Sequence, residues 1–229
     1  MMQIIDTPFF GVLICIIAFE IGLFINKKTK NVILNPLLIS ISLIIFLLLK
    51  FNISLETFNK GGSLISFFLT PATVILAVPL YKKFNIFKAN ALPIIIGITV
   101  GSFSVILSVV MLSKLFGLQD SILRSLMPKS ITTPIGIEVA KQIGGIPSIT
   151  TTAIIITGIV GAIFGPNICK IFKIKDEVAV GIAMGTAAHA IGTSKAIEMG
   201  EVQGAMSGIA IGIAGLITVI LVPIIIIFI

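Results

Sequence analysis

The chain has 229 residues, 57% of them hydrophobic and 11% charged, with a mean hydropathy of +1.21, values that exclude a soluble domain and describe a polytopic membrane protein. Runs such as 39–49 and 217–229, apolar apart from Ser40, Ser42 and Thr218, do not keep the alternating pattern of a β-barrel, leaving helices as the way to satisfy the backbone in lipid. The net charge of +7 is scattered over loops, which reads as topology and headgroup contact with the bilayer, not as a nucleic-acid surface.

Residues 1–7 carry no basic side chain, and the first apolar run, 8–25, is followed at once by Lys27, Lys28 and Lys30. It is expected to be a retained span with its N-terminus outside, with Cys15 and Glu20 within it. A second span is expected at 34–49. The third, 62–81, is interrupted at Thr70-Pro71 and delivers Lys82, Lys83 and Lys88 to the cytoplasm. A fourth, 91–113, leaves Asp120, Arg124 and Lys129 on the outer side.

The stretch 126–149 is too polar and too broken for an ordinary span. Thr133 before Pro134 reads as an N-cap with proline at the first helical position, and Gly144, Gly145 and Pro147 stop the helix about ten residues later. A helix of that length reaches ~15 Å, roughly half a bilayer core. It would end inside the membrane with its N–H groups and positive dipole end facing a cavity, an arrangement suited to an anion. The alternative is a structured loop outside the membrane carrying a short surface helix. Lys170, Lys173 and Lys175 follow the span expected at 151–172 and belong in the cytoplasm, which requires the central stretch to dip in and return. Crossings at 178–199 and 203–228 then bring the C-terminus to the cytoplasm.

The expected fold is an all-α transmembrane bundle of about seven spans plus a re-entrant half-helix. It is a single integral membrane domain, 1–229, with N-terminal spans in 1–60, a first repeat-like unit in 61–114 and a second in 126–229. Aligning Thr70-Pro71 with Thr133-Pro134 places Ala77 on Ala140, and Val100-Gly101 falls on Val160-Gly161 once a shorter loop is allowed. That is the pattern of an inverted repeat with broken helices, with chance similarity between two Ile-rich segments as the alternative.

His189 is the sole histidine, and Lys195 and Glu198 follow it. Ionisable groups within a span are costly and therefore functional candidates. Gly181, Gly185, Ala188, Gly192 and Ala196 recur every three or four residues and direct His189 towards a partner helix or a cavity. Lys195 offers a cation for a carboxylate, with Thr193 and Ser194 as hydroxyl donors; alternatively it pairs with Glu198 or snorkels. Glu138 and Lys141 present the same choice between an ion pair and a free carboxylate able to take a proton or cation. Gly161, Gly165, Gly204, Gly208 and Gly212 are assigned to helix packing, as are Cys15 and Cys169. No nucleophile with a base, metal cluster or phosphate loop is present, so neither an enzyme nor a cofactor is expected.

Ser125-Leu-Met-Pro-Lys-Ser-Ile-Thr-Thr-Pro-Ile-Gly-Ile-Glu, Gly144-Gly-Ile-Pro-Ser-Ile-Thr, Ile156-Thr-Gly-Ile-Val-Gly-Ala-Ile-Phe-Gly-Pro and Met184-Gly-Thr-Ala-Ala-His-Ala-Ile-Gly-Thr-Ser-Lys-Ala together resemble the signature of the LrgB/CidB family. The resemblance spans essentially the whole chain. It implies a bacterial plasma-membrane protein of holin-like or antiholin-like type, associated with murein hydrolase control and autolysis and working beside a small LrgA/CidA-type membrane protein. Relatives in that family group include a bacterial pyruvate facilitator and the plastid glycolate/glycerate translocator; no LrgA-like part is expected in this chain. Lys195 stands where many relatives are expected to carry Arg, which keeps the charge and loses bidentate carboxylate recognition.

The leading expectation is a carrier of small monocarboxylates such as pyruvate, lactate or glycolate, forming homo-oligomers. Its site would draw on Thr70, Thr132, Thr133, His189, Thr193, Ser194 and Lys195, with proton coupling through His189 or Glu138. The alternatives are a holin-like pore or regulatory subunit, and a structural subunit inactive without its LrgA-type partner.

Overall fold

A computed structural model describes residues 7–29, 34, 36–68, 71, 81 and 83–229, and every regular element among them is helical. The chain divides into two units, Met1–Ile75 and Leu76–Ile229.

The first unit contains α1 (Pro8–Thr29), α2 (Pro36–Lys50) and α3 (Leu55–Phe67). Its helices meet through glycine. A Cβ on Gly11 of α1 would stand 2.6 Å from the Phe58 carbonyl oxygen of α3, and one on Gly22 would stand 2.5 Å from that of Pro36 in α2. Such close backbone approach is how helices associate where apolar contact with lipid is equally good. Ser54 caps α3 by accepting a hydrogen bond from the Thr57 N–H at 3.1 Å. This helix begins earlier than Gly62, the expected start of the third span, and stops short of Thr70-Pro71. Thr70, Ala77 and Lys82 lie outside the described residues.

The second unit contains α4 (Phe84–Ala89), α5 (Ala91–Leu115), α6 (Asp120–Leu126), α7 (Thr133–Gln142), α8 (Pro147–Ile171), α9 (Glu177–Met199) and α10 (Glu201–Ile226). Among the described helices, α1, α5, α8 and α10 are long and apolar enough to cross a membrane, and α2 is apolar but shorter. The small-residue face of α9 serves two neighbours. A Cβ on Gly181 would stand 2.5 Å from the Gln203 oxygen of α10, Gly185 sits against the Ser207 oxygen, and Ala188 packs on Gly161 of α8. Gly212 is different: it is exposed with nothing within 4 Å of a built Cβ, so the packing role expected of it is not met within this chain.

Ile106 and Val109 of α5, Leu123 of α6, Val139 of α7 and Val222 of α10 share one buried cluster that seats the short helices against the long ones. The half-helix has the expected length, 10 residues, but its cap lies at Thr132, whose backbone is extended at φ −65° and ψ 145°. Pro134 therefore occupies the second helical position, where a missing N–H is as harmless as at the first because both belong to the unpaired first turn.

Candidate functional site

The half-helix α7 is stopped by its glycines. Gly144 adopts φ +76° and the Gly145 N–H donates to the Ala140 oxygen at 2.7 Å, closing a Schellman turn that returns the chain into α8. Helix α6, in a stretch expected to be an outer loop, clamps that return. The Arg124 Nη1 donates to the Ile143 oxygen at 2.8 Å while its Nε pairs with Asp120 at 2.7 Å. The Ser125 hydroxyl donates to the Ser121 oxygen at 2.6 Å and accepts from the Ile146 N–H at 2.6 Å. Thr150 Oγ1 donates to the Ser125 backbone oxygen at 2.9 Å. At the opposite end of α7 no side chain caps the first turn.

Helix α9 is interrupted at His189, whose backbone lies at φ 41° and ψ −134°. Its imidazole is buried against α8, with Nε2 2.9 Å from the Ile154 oxygen. Gly158 makes the fit possible, since a Cβ there would come within 2.8 Å of Cε1 and 2.9 Å of Nε2. Thr193 Oγ1 donates to the His189 oxygen at 3.0 Å and lies 2.7 Å from Ser207 Oγ of α10. Between the two choices left by the small-residue face, partner helix or cavity, the ring meets a partner helix.

The expected site residues fall into separate groups. Thr132 and Thr133 stand at the start of α7, and His189 and Thr193 form a buried bridge between α8 and α10. Ser194 is exposed and donates back to the Ala190 oxygen at 3.2 Å. Lys195 pairs with Glu198 at 2.8 Å, and Lys141 with Glu138 at 2.8 Å, so both i,i+3 pairs are made.

A group that sequence reasoning treated only as a topology charge lies nearer the interior. Lys129, in the turn leading to α7, is half-buried, forms no ion pair among the described residues and interacts electrostatically with His189. Burial pushes its ammonium below the usual lysine range. The signal available was its place between Pro128 and the half-helix, where a purely orienting charge has no special reason to sit. Between α5 and α9 runs a groove of about 500 Å³, apolar along Ile94, Gly97, Val105 and Ile182, with Asn90 and Asp176 also in its lining. No group of three or more metal-binding side chains occurs among the described residues.

A family model described as the LrgB-like family matches residues 15–228. Two proteins named "Antiholin-like protein LrgB", from Bacillus cereus (strain B4264) and Bacillus anthracis (strain A0248), are each 39% identical over 218 residues, covering 95% of this chain and 95% of the relative. No solved structure matches the chain. With a family model spanning the long helices, the half-helix and the interrupted α9, and relatives aligned along nearly its full length, this multi-pass membrane protein belongs to the LrgB family.

Proposed function

We propose that the chain is a carrier for small monocarboxylates of the pyruvate, lactate or glycolate type. The observation that supports this most is the half-buried Lys129, without an ion pair among the described residues, at the entry to an uncapped half-helix and interacting electrostatically with His189, where a second helix is interrupted. A fixed positive charge and a free helix N-terminus hold an anion away from bulk water, and interrupted helices are where transporters build such sites. About seven crossings, an inverted repeat, an external N-terminus and a cytoplasmic C-terminus in a bacterial plasma membrane complete this reading. Thr132 and Thr133 would serve at the start of α7, with His189 and Thr193 bracing the site. Ser194 and Lys195 would join it only if the Lys195–Glu198 pair opens.

We assign the chain no catalytic role and expect homo-oligomers and an LrgA/CidA-type partner. Control of murein hydrolases would then follow from carboxylate movement. The second reading, an antiholin-like pore or regulatory subunit, takes its support from the names of the relatives.

Uptake of labelled pyruvate and glycolate into proteoliposomes, with a larger dye as a leak control and with or without the partner, tests the proposal. Saturable carboxylate uptake with the dye excluded is the expected result. Dye passage, or uptake that does not saturate, would contradict it.

A further inference from the structure

Beyond the groove, a small chamber of about 10 Å³ lies among α5, the turn before α7, α9 and α10. The hydroxyls of Ser102, Ser130 and Thr186 line it. These residues are only 5%, 8% and 7% exposed, and none of the three hydroxyls has a hydrogen-bond partner among the described residues. One buried hydroxyl without a partner is a cost; three around one cavity indicate a ligand that would satisfy them.

We propose that this chamber receives one carboxylate oxygen of a small monocarboxylate, with Lys129, next to Ser130 in the chain, as its cation. The proposal rests on the transport reading above and assigns its site. Three features select an anion over a cation. Among the described residues no carboxylate lines the chamber and Lys129, next to Ser130 in sequence, forms no ion pair; hydroxyls can donate as well as accept. An ammonium there repels a second cation and attracts a carboxylate.

Size and surroundings narrow the class. A volume of about 10 Å³ holds one water-sized group, so a carboxylate oxygen fits and the remainder of the ligand must extend elsewhere. Val105 and Thr186 line both the chamber and the larger groove, so the two adjoin there and the proposal seats a short tail on the groove side. The groove side presents Ile94, Gly97 and Ile182, surroundings that suit a methyl or acyl group and penalise a second charge. Asp176 in the same lining would repel a second carboxylate. Monocarboxylates of two or three carbons are therefore favoured and dicarboxylates rejected.

The test is binding of labelled pyruvate to the full chain in lipid nanodiscs, with acetate and succinate as competitors. The variants are Lys129→Met, Lys129→Arg, Ser102→Ala, Ser130→Ala and Thr186→Val. The hydroxyl variants each remove an unpartnered buried group, so their fold is retained or strengthened. The expected result is that Kd rises about tenfold or more in Lys129→Met and in each hydroxyl variant, as for loss of a hydrogen bond to a charged ligand. Lys129→Arg keeps most of the affinity, and acetate competes while succinate does not. No pyruvate binding by the wild-type chain, or equal binding by all variants, overturns the site. Saturable uptake with an unchanged KM in the variants would sink the site and leave the transport reading standing. Binding through these residues without uptake would sustain the site and remove the transport reading.

Discussion

The Nε2 of His189 meets the backbone oxygen of Ile154 at 2.9 Å across the contact between α8 and α9, and the absent side chain of Gly158 is what lets the ring approach. The ring is thus a brace between helices, holding a backbone at φ 41° that costs about 1–3 kcal/mol on its own. Gly158→Ala places a methyl within 2.9 Å of the ring and is expected to lower the melting temperature in detergent by several degrees. His189→Ala is destabilising alone but removes the ring's share of that clash, leaving Ile191 Cδ1 at 2.7 Å. The double variant should therefore show a coupling of about 0.5–3 kcal/mol, and strict additivity of the two melting shifts would count against the contact.

Ser125 ties α6 to the start of α8: its hydroxyl accepts from the Ile146 N–H at 2.6 Å while donating within α6 to the Ser121 oxygen at 2.6 Å. Ser125→Ala leaves the Ile146 N–H without that acceptor and is expected to cost about 1–3 kcal/mol. Hydrogen exchange should show faster opening of 140–150 than in wild type, because the return from the half-helix is what that hydroxyl holds. Unchanged exchange there would mean that the Arg124 contact to Ile143 suffices.

Glu138 and Lys141 form an exposed ion pair, as do Lys195 and Glu198. Exposed i,i+3 pairs contribute about 0.3–0.5 kcal/mol. Glu138→Gln should leave uptake KM and its pH profile within about twofold of wild type, on the scale of such a pair. A lost pH dependence would instead identify Glu138 as the proton-coupling group.

Burial holds the Lys129 ammonium below the usual lysine range, so its charge is lost at lower pH than that of an exposed lysine. The carboxylate binds the protonated form. Affinity is therefore flat at pH values below the lowered pKa and falls by about tenfold per unit above it, with a proton taken up on binding in that range. Pyruvate Kd measured upward from about pH 8, above the ordinary histidine range so that the neighbouring His189 contributes least, should weaken in wild type and stay level in Lys129→Arg. Parallel pH curves for the two proteins would show that Lys129 is not the cation in contact.

Much of the long-helix arrangement is legible from apolar runs, and so is α7, because Thr-Thr-Pro and Gly-Gly-Ile-Pro are local signals read without tertiary contacts. The interruption at His189 is not legible. Ala188 and Ala190 flank it, and neither breaks a helix; the contacts of α9 with Ser207 of α10 and Gly161 of α8 lie just before the break. Past it, a Cβ on Gly192 would reach the Met184 oxygen at 2.6 Å across the bend. The chamber hydroxyls come from separate elements and have no common spacing, so only the fold brings Ser102, Ser130 and Thr186 together. The pairing of Lys195 with Glu198 is one of three readings, beside a carboxylate contact and snorkelling, and side-chain geometry is needed to choose.

Counterflow tests the central claim most directly. Proteoliposomes loaded with unlabelled pyruvate are diluted into a trace of labelled pyruvate, and internal label is followed with time. A carrier with one alternating site accumulates label transiently above its equilibrium level. The account predicts that overshoot for wild type and its loss in Lys129→Met. Label that rises only to equilibrium, at a rate indifferent to the internal load, would show a pore and contradict the account.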